Sequence, residues 1–376
     1  MFEIVEEYDR NADIKVIGVG GAGGNAVRRM IEQDLCGVEF IATNTDLQAL
    51  KRTPAPIKVQ IGIELTKGLG SGGRPEIGRK AIEENADRVV EILDGTDMVF
   101  ITAGMGGGTG TGASPLIAKL AKESGALTIA IVTRPFDFEG RKREQQALEG
   151  LEELRKEVDT LICIPNQKLL SVVGKQTPIH EAFKIADQVL YHATKGISDL
   201  ITTPGLINLD FADVRTVMSE GGEAFMGTGT GRGENRAKEA ASEAISSPLL
   251  DNVSISGAKG LLVNITGGMD LTLSESSDAT QSIQDVSGED ANIIFGIIQN
   301  ENLDGEMRVT VIATGLGQNG EEKSIINFGS FASEDLERPT FKRKQIKKLA
   351  MGKGISYPFT RDELEIPTYL RKQTRS

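Results

Sequence analysis

Residues 98–115 read MVFITAGMGGGTGTGASP, a short apolar run followed by a glycine-rich segment. Six of the nine residues from Gly104 to Gly112 are glycine. Each glycine loses much conformational entropy on folding and offers no side chain for packing, which indicates a loop that grips a ligand. The run 98–103 predicts a buried strand, and a helix is expected to begin near Ser114 and Pro115. The segment therefore predicts a backbone phosphate site between a strand and a helix.

A second glycine pattern, GVGGAG, occupies Gly18 to Gly23. It lies between a predicted strand and a stretch with helical spacing, as the GxGxxG fingerprint requires. Taken alone, the pattern is compatible with a dinucleotide-dependent oxidoreductase or with a tight turn that binds nothing. Neither loop is a Walker loop, because Gly112 is followed by Ala113 and not by lysine. Two converging glycine loops favour a ligand with a long phosphate chain.

Apolar runs alternate with amphipathic stretches through the first half of the chain. This alternation predicts an α/β fold, in which a doubly wound parallel sheet is covered on both faces. Its strands are expected at 14–19, 38–43, 98–103, 127–133 and 161–165. A long central helix is expected next, and then a smaller α+β domain with helices at 210–220 and 235–246 and strands at 260–265, 293–299 and 307–313.

The expected domain boundaries follow these patterns. They are an N-terminal extension 1–12, a nucleotide-binding domain 13–177, the central helix 178–202, a C-terminal α+β domain 203–317, a flexible linker 318–360 and a partner-binding peptide 361–376. The linker is expected to be disordered because regular periodicity stops after Gly317 and polar residues dominate.

The composition narrows the class of protein. The chain has 376 residues and a formal net charge of −12, so nucleic acid is not an expected partner. The first eleven residues are acidic, and no apolar run approaches the ~18 residues of a membrane span, so we expect a cytoplasmic protein. Cys36 and Cys163 lack the spacing of metal ligands and are expected to be small core residues.

The segment GGGTGTG, from Gly106 to Gly112, is the signature loop of the tubulin/FtsZ family of GTPases. The chain resembles this family from about Ile14 to Gly317, and its short length and C-terminal peptide resemble the FtsZ branch. The resemblance implies GTP or GDP and Mg²⁺ as cofactors, with no side chain assigned to the metal. It also implies a GTPase that is active on polymerisation, and head-to-tail homopolymers that form the cytokinetic ring at mid-cell.

The resemblance assigns nucleotide contacts near the ends of several predicted strands and on the central helix. Phe183 would stack on the base, although its spacing alone suggests a core aromatic. Asp187 would accept hydrogen bonds from the N1 and N2 edge of guanine, which adenine lacks. Glu139 and Arg143 would contact the nucleoside, although their spacing alone predicts a surface ion pair. The other assigned residues are Gly21, Ala22, Gly23, Gly24, Asn25, Asn44, Gly72, Gly107, Gly108, Thr109, Gly110 and Thr133.

The segment NLDFADV, residues 208–214, holds the predicted catalytic residues Asn208, Asp210 and Asp213. By residue type alone, Asp210 would cap the following helix and Asp213 would lie in its first turn. The resemblance implies instead that the three residues polarise the water that attacks GTP on the neighbouring subunit. Such a site requires a head-to-tail contact, which produces an open filament where its rotation does not close.

Residues 365–371 read EIPTYLR and resemble the peptide with which the FtsZ family docks on division and membrane-adaptor proteins. Glu365 and Tyr369 stand where the family usually has Asp and Phe, so the partner remains open. The predicted partner contacts are Ile366, Pro367, Tyr369, Leu370 and Arg371. Membrane contact is expected to be indirect only, and the basic segment 338–353 is expected to be a solvated part of the linker.

Two other functions remain open at this point. A nicotinamide-dependent oxidoreductase would explain the first glycine loop but not the second. A nucleotide-binding structural protein that polymerises without turnover is the second alternative, and the family resemblance of Asn208, Asp210 and Asp213 argues against it.

Overall fold

The computed structural model describes residues 12–170, 178–203, 205–207, 209–219, 222–247, 255–288 and 291–316. Several predictions lie outside these residues. They concern Asn208, most of the N-terminal extension, the linker 318–360 and the peptide 361–376, with Ile366, Pro367, Tyr369, Leu370 and Arg371.

The described residues contain ten strands: β1 (Ile14–Val19), β2 (Glu39–Asn44), β3 (Ile57–Gln60), β4 (Met98–Gly104), β5 (Leu127–Arg134), β6 (Thr160–Pro165), β7 (Gly222–Arg232), β8 (Gly260–Gly267), β9 (Asn292–Gln299) and β10 (Glu306–Thr314). They pair in the order β3-β2-β1-β4-β5-β6-β7-β10-β8-β9. All neighbours from β3 to β7 are parallel, and β10 runs antiparallel to both β7 and β8. The predicted strands are confirmed with ends that differ by one or two residues, whereas β3 and β7 were not predicted.

The described helices are α1 (Gly20–Glu32), α2 (Leu47–Arg52), α3 (Ile63–Thr66), α4 (Pro75–Glu83), α5 (Ala86–Leu93), α6 (Thr109–Glu123), α7 (Arg141–Glu157), α8 (Asn166–Leu169), α9 (Ile179–Thr202), α10 (Phe211–Ser219), α11 (Arg236–Ile245) and α12 (Leu273–Ser287). Adjacent residues of β1 show that helices cover both faces of the sheet. Val16 belongs to the core that contains Met30 of α1, and Ile17 belongs to the core that contains Ile117 of α6. This alternation confirms the doubly wound α/β fold.

Helix α9 is the predicted central helix. It has 24 residues, and its Leu190 and Ile197 lie in one core with Ile131 of β5 and Ile312 of β10. The helix therefore packs against strands from both halves of the sheet. A separate core between β7–β10 and α11–α12 confirms the smaller α+β part. The exact domain boundaries stay a prediction.

Strand β7 was not predicted because its sequence, GEAFMGTGTGR, is rich in glycine, which is usually depleted in strands. Helix α11 lies directly on this strand. A β-carbon at Gly227, Gly229 or Gly231 would come within 1.9–2.1 Å of a backbone oxygen of α11 or its start. The glycines are thus required by close helix packing, a tertiary effect that strand propensity does not include.

Helix α6 begins at Thr109, five residues before the predicted start at Ser114. The end of the glycine-rich segment is therefore helical. A β-carbon at Gly112 would lie 1.9 Å from the Pro75 oxygen of α4. From the sequence, the glycines of residues 104–112 were attributed to ligand binding and not to packing. That attribution was wrong for Gly112, where the absence of a side chain lets α4 and α6 touch.

Two further observations complete the fold. Cys36 is exposed, and its Sγ donates to the Asp34 oxygen at 3.3 Å, so its predicted place in the core was wrong; Cys163 is partly buried. Within the described ranges, no helix combines the length and the apolar character needed to cross a bilayer.

We expect Arg236→Ala to lower the free energy of unfolding by about 2–3 kcal/mol. Arg236 is 4% exposed and donates to Glu275 at 2.6 Å and to Asp270 at 2.6 Å. Its removal leaves both carboxylates without their cation. Urea denaturation of the full chain measures the change.

Arg232→Ala is the matched control, because the Arg232–Glu306 pair on β7 is also short, at 2.7 Å, but the arginine side chain is 81% exposed. Its expected cost is below about 1 kcal/mol. Equal losses in the two variants would contradict a special role for the buried arginine.

Candidate functional site

A cavity of about 330 Å³ lies where β1, β4 and β5 end, at Val19, Gly104 and Thr133. The carboxyl edge of a parallel sheet is the edge at which α/β folds bind ligands. The residues that line the cavity are Val19, Gly21, Ala22, Asn25, Ser71, Gly104, Met105, Gly107, Gly108, Thr109, Gly110, Thr133, Pro135, Glu139, Arg143, Asn166, Phe183, Ala186, Asp187 and Leu190. Residues of both glycine loops and of the start of α9 therefore line the same cavity.

Most of the predicted nucleotide contacts line this one cavity. They are Gly21, Ala22, Asn25, Gly107, Gly108, Thr109, Gly110, Thr133, Glu139, Arg143, Phe183 and Asp187. Four predicted contacts do not line it. Gly24 and Asn44 line a neighbouring cavity, and Gly23 is buried against the Thr102 oxygen. Gly72 follows Ser71 in the sequence but does not line the cavity.

The starts of α1 and α6 supply backbone donors to the cavity. Helix α1 follows β1 without a loop, and no side chain caps its start at Gly20 or the start of α6 at Thr109. The first N–H groups of a helix have no partner within the helix, so these amides are available to a ligand. Two uncapped helix starts with glycine amides beside them suit a chain of phosphates.

Thr109 connects three loops at this edge of the sheet. Its Oγ1 shares hydrogen bonds with Thr45 Oγ1 at 2.7 Å and Ser71 Oγ at 3.1 Å. Thr45 follows β2, and Ser71 lies between α3 and α4. A group that displaces or orients the Thr109 hydroxyl would therefore act on both neighbouring loops.

Phe183 and Asp187 lie one turn apart on α9 at the other end of the cavity. Phe183 is 40% exposed, which contradicts a core position and leaves part of its side chain accessible to a ligand. Its ring meets the buried Phe136 ring edge-on at 5.2 Å, which fixes its orientation. Burial raises the pKa of Asp187 from 3.8 to about 6, against the lowering effect of Arg29 and Arg28.

Glu139 and Arg143 form the predicted ion pair. Arg143 donates to Glu139 at 2.5 Å, and the second Glu139 oxygen accepts from the Phe136 N–H at 3.0 Å. Both residues line the cavity, so this surface pair also forms part of its wall. Thr133, at the end of β5, accepts from the Met105 N–H at 2.9 Å through its carbonyl oxygen.

Sequence reasoning missed Asn166, which is buried and lines the cavity, and whose Oδ1 accepts no hydrogen bond within the described part of the chain. A buried amide oxygen that accepts no hydrogen bond, next to a cavity, indicates that a ligand supplies the missing donor. The signal was present, since Asn166 directly follows β6 at the same sheet edge. Ser71 and Met105 were also missed, and no local motif distinguishes them.

Asp210 and Asp213 lie at the opposite edge of the sheet. Arg215 of α10 donates to the oxygens of Asp97 and Gly125, both at 3.4 Å, and these residues precede β4 and β5. The cavity lies beyond the other ends of those strands, roughly 20 Å away by strand length. As expected for a cap, Asp210 Oδ1 accepts from the Asp213 N–H at 2.8 Å. Neither carboxylate can reach the cavity of its own chain.

The geometry defines what the cavity can bind. Backbone donors and hydroxyls surround one end, and an aromatic face with a carboxylate and an amide occupies the other. This arrangement suits a nucleotide whose base donates hydrogen bonds. Among the described residues, no group of three or more His, Cys, Asp or Glu side chains is placed to hold a metal ion.

Comparison with known proteins agrees with the geometry. Residues 13–174 match the tubulin/FtsZ family GTPase domain, and residues 222–317 match the FtsZ family C-terminal domain. The cell division protein FtsZ of Coxiella burnetii is 53% identical over 354 residues, which make up 92% of each chain.

Solved structures show the same relationship. An FtsZ dimer of M. jannaschii has a TM-score of 0.79 and 47% identity, and the match covers 82% of this chain and 90% of that one. CetZ2 of Haloferax volcanii, solved as a protofilament with GTPγS, has a TM-score of 0.68 at 22% identity, with 81% and 93% covered, and shows the fold alone. The chain belongs to the FtsZ family, with a GTPase domain of the tubulin/FtsZ type.

Proposed function

We propose that the cavity binds GTP, and that GTP is hydrolysed where the cavity meets the Asp210–Asp213 end of the next copy. The observation that carries this proposal is the separation of binding and acidic groups. The glycine loops and uncapped helix starts lie at one edge of the sheet, and the exposed Asp210 and Asp213, just before α10 and in its first turn, lie at the other. Only a head-to-tail contact between two copies brings them together.

Guanine specificity would come from Asp187. A carboxylate accepts from both guanine donors, N1–H and the N2 amino group, whereas adenine has no donor at N1. Phe183 offers the exposed ring on which a base can stack, and the Asn166 oxygen can accept a further hydrogen bond. Gly21, Gly107, Gly108 and the start of α6 would hold the phosphates.

Mg²⁺ fits this arrangement as a phosphate-bound ion. Magnesium is usually held by substrate phosphates and a few protein oxygens and keeps part of its water shell. It would supply charge neutralisation on the terminal phosphate, while the Thr45, Ser71 and Thr109 hydroxyls orient the loops around that phosphate. Asp210 and Asp213 from the next copy, with Asn208, would orient the attacking water.

Apolar side chains at both ends support the head-to-tail contact. Leu69 and Phe138, 84% and 59% exposed, flank the cavity end, and Leu206 and Ile207, 63% and 38% exposed, precede the acidic segment. Large exposed apolar groups beside functional loops are typical of interaction surfaces. Because the two ends differ, repeated contacts add copies in one direction and build a filament.

The relatives support a role in cell division. The Coxiella burnetii protein is a cell division protein, and the M. jannaschii FtsZ was solved as a dimer. We infer that filaments of this chain form the cytokinetic ring in the cytoplasm at mid-cell, and that hydrolysis drives their turnover. The peptide with Ile366, Pro367, Tyr369, Leu370 and Arg371 would connect the ring to adaptor proteins at the membrane.

We expect Asp213→Ala to lower GTP turnover by about 10²–10³-fold, while the affinity for GTP changes less than about twofold. The carboxylate acts on the neighbour's nucleotide and does not touch its own. Phosphate release and light scattering are measured together across a dilution series. Turnover of the unmodified chain should appear only above the concentration at which scattering appears.

Asp278→Ala is the control, because Asp278 is an exposed acid on α12 that neither lines the cavity nor belongs to the segment 208–214. It should leave turnover unchanged. Turnover per molecule that stays constant on dilution would refute a site shared between copies, even where Asp213→Ala is inactive.

The affinity for guanine nucleotides should fall about tenfold between pH 7 and pH 5. The raised pKa of Asp187, about 6, leaves the carboxyl mostly ionised at pH 7 and mostly protonated at pH 5. Only the ionised form accepts both guanine donors, so binding weakens as the pH falls through this value. Fluorescence titration with a labelled GDP measures the change.

Asp187→Asn separates this effect from protonation of the nucleotide's own phosphates, which is common to both proteins. The variant should lose the additional pH dependence and bind GDP about 10–100-fold more weakly. It should also gain preference for xanthine nucleotides, whose C2 oxygen matches the new amide donor. An identical pH dependence in the two proteins would exclude Asp187 from base recognition.

A further inference from the structure

A second cavity adjoins the nucleotide cavity on the outer side of α1. Its volume is about 270 Å³, and it lies between α1, the end of β2 and α2. Its lining residues are Gly20, Gly21, Gly24, Asn25, Arg28, Ala42, Thr43, Asn44, Ala49, Leu50, Arg52 and Thr53. It shares Gly21 and Asn25 with the nucleotide cavity but includes neither the second glycine loop nor α9.

The charge of this cavity is opposite to that of the chain. The net charge of the protein is −12, yet two arginines and no carboxylate line the cavity. The nucleotide cavity, in contrast, is lined by Glu139 and Asp187. A local concentration of guanidinium groups without lining acids creates a positive potential in an otherwise acidic protein.

The two arginines are available to a ligand. Arg52 forms no salt bridge within the described residues, and Arg28 has a single long contact to Glu32, at 3.8 Å between two exposed side chains. Exposed pairs of this kind contribute little free energy. A guanidinium group binds oxyanions well, because its N–H groups match two oxygens at once.

The interior of the cavity has an unsatisfied polar group. Thr53 is 6% exposed, and its Oγ1 has no hydrogen-bond partner among the described residues. A buried hydroxyl without a partner is costly and indicates an unassigned ligand or water. Asn44, 5% exposed, lies on the same wall.

We propose that this second cavity binds a phosphate-type oxyanion, held by Arg28 and Arg52, next to the bound nucleotide. The Thr53 hydroxyl, buried at the same wall, completes the site. The ion would be either free inorganic phosphate or the phosphate of a second nucleotide, since both present the same oxygens. The proposal uses the proposed function only to place a nucleotide in the neighbouring cavity.

The test is a titration of the full chain, saturated with GDP, with inorganic phosphate at constant ionic strength. Calorimetry should show saturable binding of one phosphate per chain. Arg52→Gln should weaken it about tenfold or more, because a charge-assisted contact is lost, and Thr53→Val should weaken it several-fold. Lys51→Gln is the matched control, since it removes the same charge one residue away from the lining and should change the affinity less than about twofold.

Three results would overturn the proposal. They are an absence of saturable binding, an equal affinity in Arg52→Gln and Lys51→Gln, and binding only to protein without GDP, which would place the ion in the nucleotide's own phosphate positions. Displacement of bound phosphate by a second equivalent of GDP would identify a nucleotide as the source, and no displacement would identify free phosphate. GDP affinity, measured in every variant, should stay unchanged and reports on the nucleotide cavity independently.

Discussion

The unpaired backbone amides at the starts of α1 and α6 are the constraint on which the site depends. Both helices begin at the carboxyl edge of a parallel sheet, and neither has a side-chain cap. A helix start without a cap has donors that require another partner, and a side chain there would take the place of that partner. The glycine-rich sequences remove the side chains and expose the amides. The anion-binding capacity is therefore built into the backbone, and the surrounding hydroxyls and side chains adjust what is bound.

The distance between the two ends of the sheet keeps Asp210 and Asp213 away from the cavity of their own chain. Helix α9 has 24 residues, a length of about 36 Å, and it carries Phe183 and Asp187 near its start. The chain reaches Asp210 soon after this helix ends. The same helix packs in one core with β5 and β10, so a change at the base-binding end has a continuous packed route toward the acidic end. Under the proposed function, a site divided in this way would make hydrolysis conditional on assembly.

The sequence predicted the architecture well where local patterns reflect burial. Continuous apolar runs identified most strands of the parallel half, and helical periodicity identified α9 almost to the residue. The features that the sequence did not predict share one cause, which is that they depend on tertiary packing. The glycines of β7 and Gly112 serve close helix contacts that no local pattern reveals. Asn166 follows a correctly predicted strand, and its place at the sheet edge was a usable signal, but only the fold shows that it is buried beside a cavity. The raised pKa of Asp187 depends on burial and could not be read from its position on a helix.

The distribution of charge resolves an apparent conflict between an acidic chain and an anionic ligand. A net charge of −12 opposes the approach of a polyanion at long range, but at about 0.15 M salt this field is screened beyond roughly 8 Å. Within the cavity, helix amides act over a single hydrogen bond and do not titrate. The same acidic surface disfavours the polyanions that a basic protein would attract. Backbone donors at the two helix starts therefore make phosphate binding compatible with an acidic chain, because they require no basic side chains.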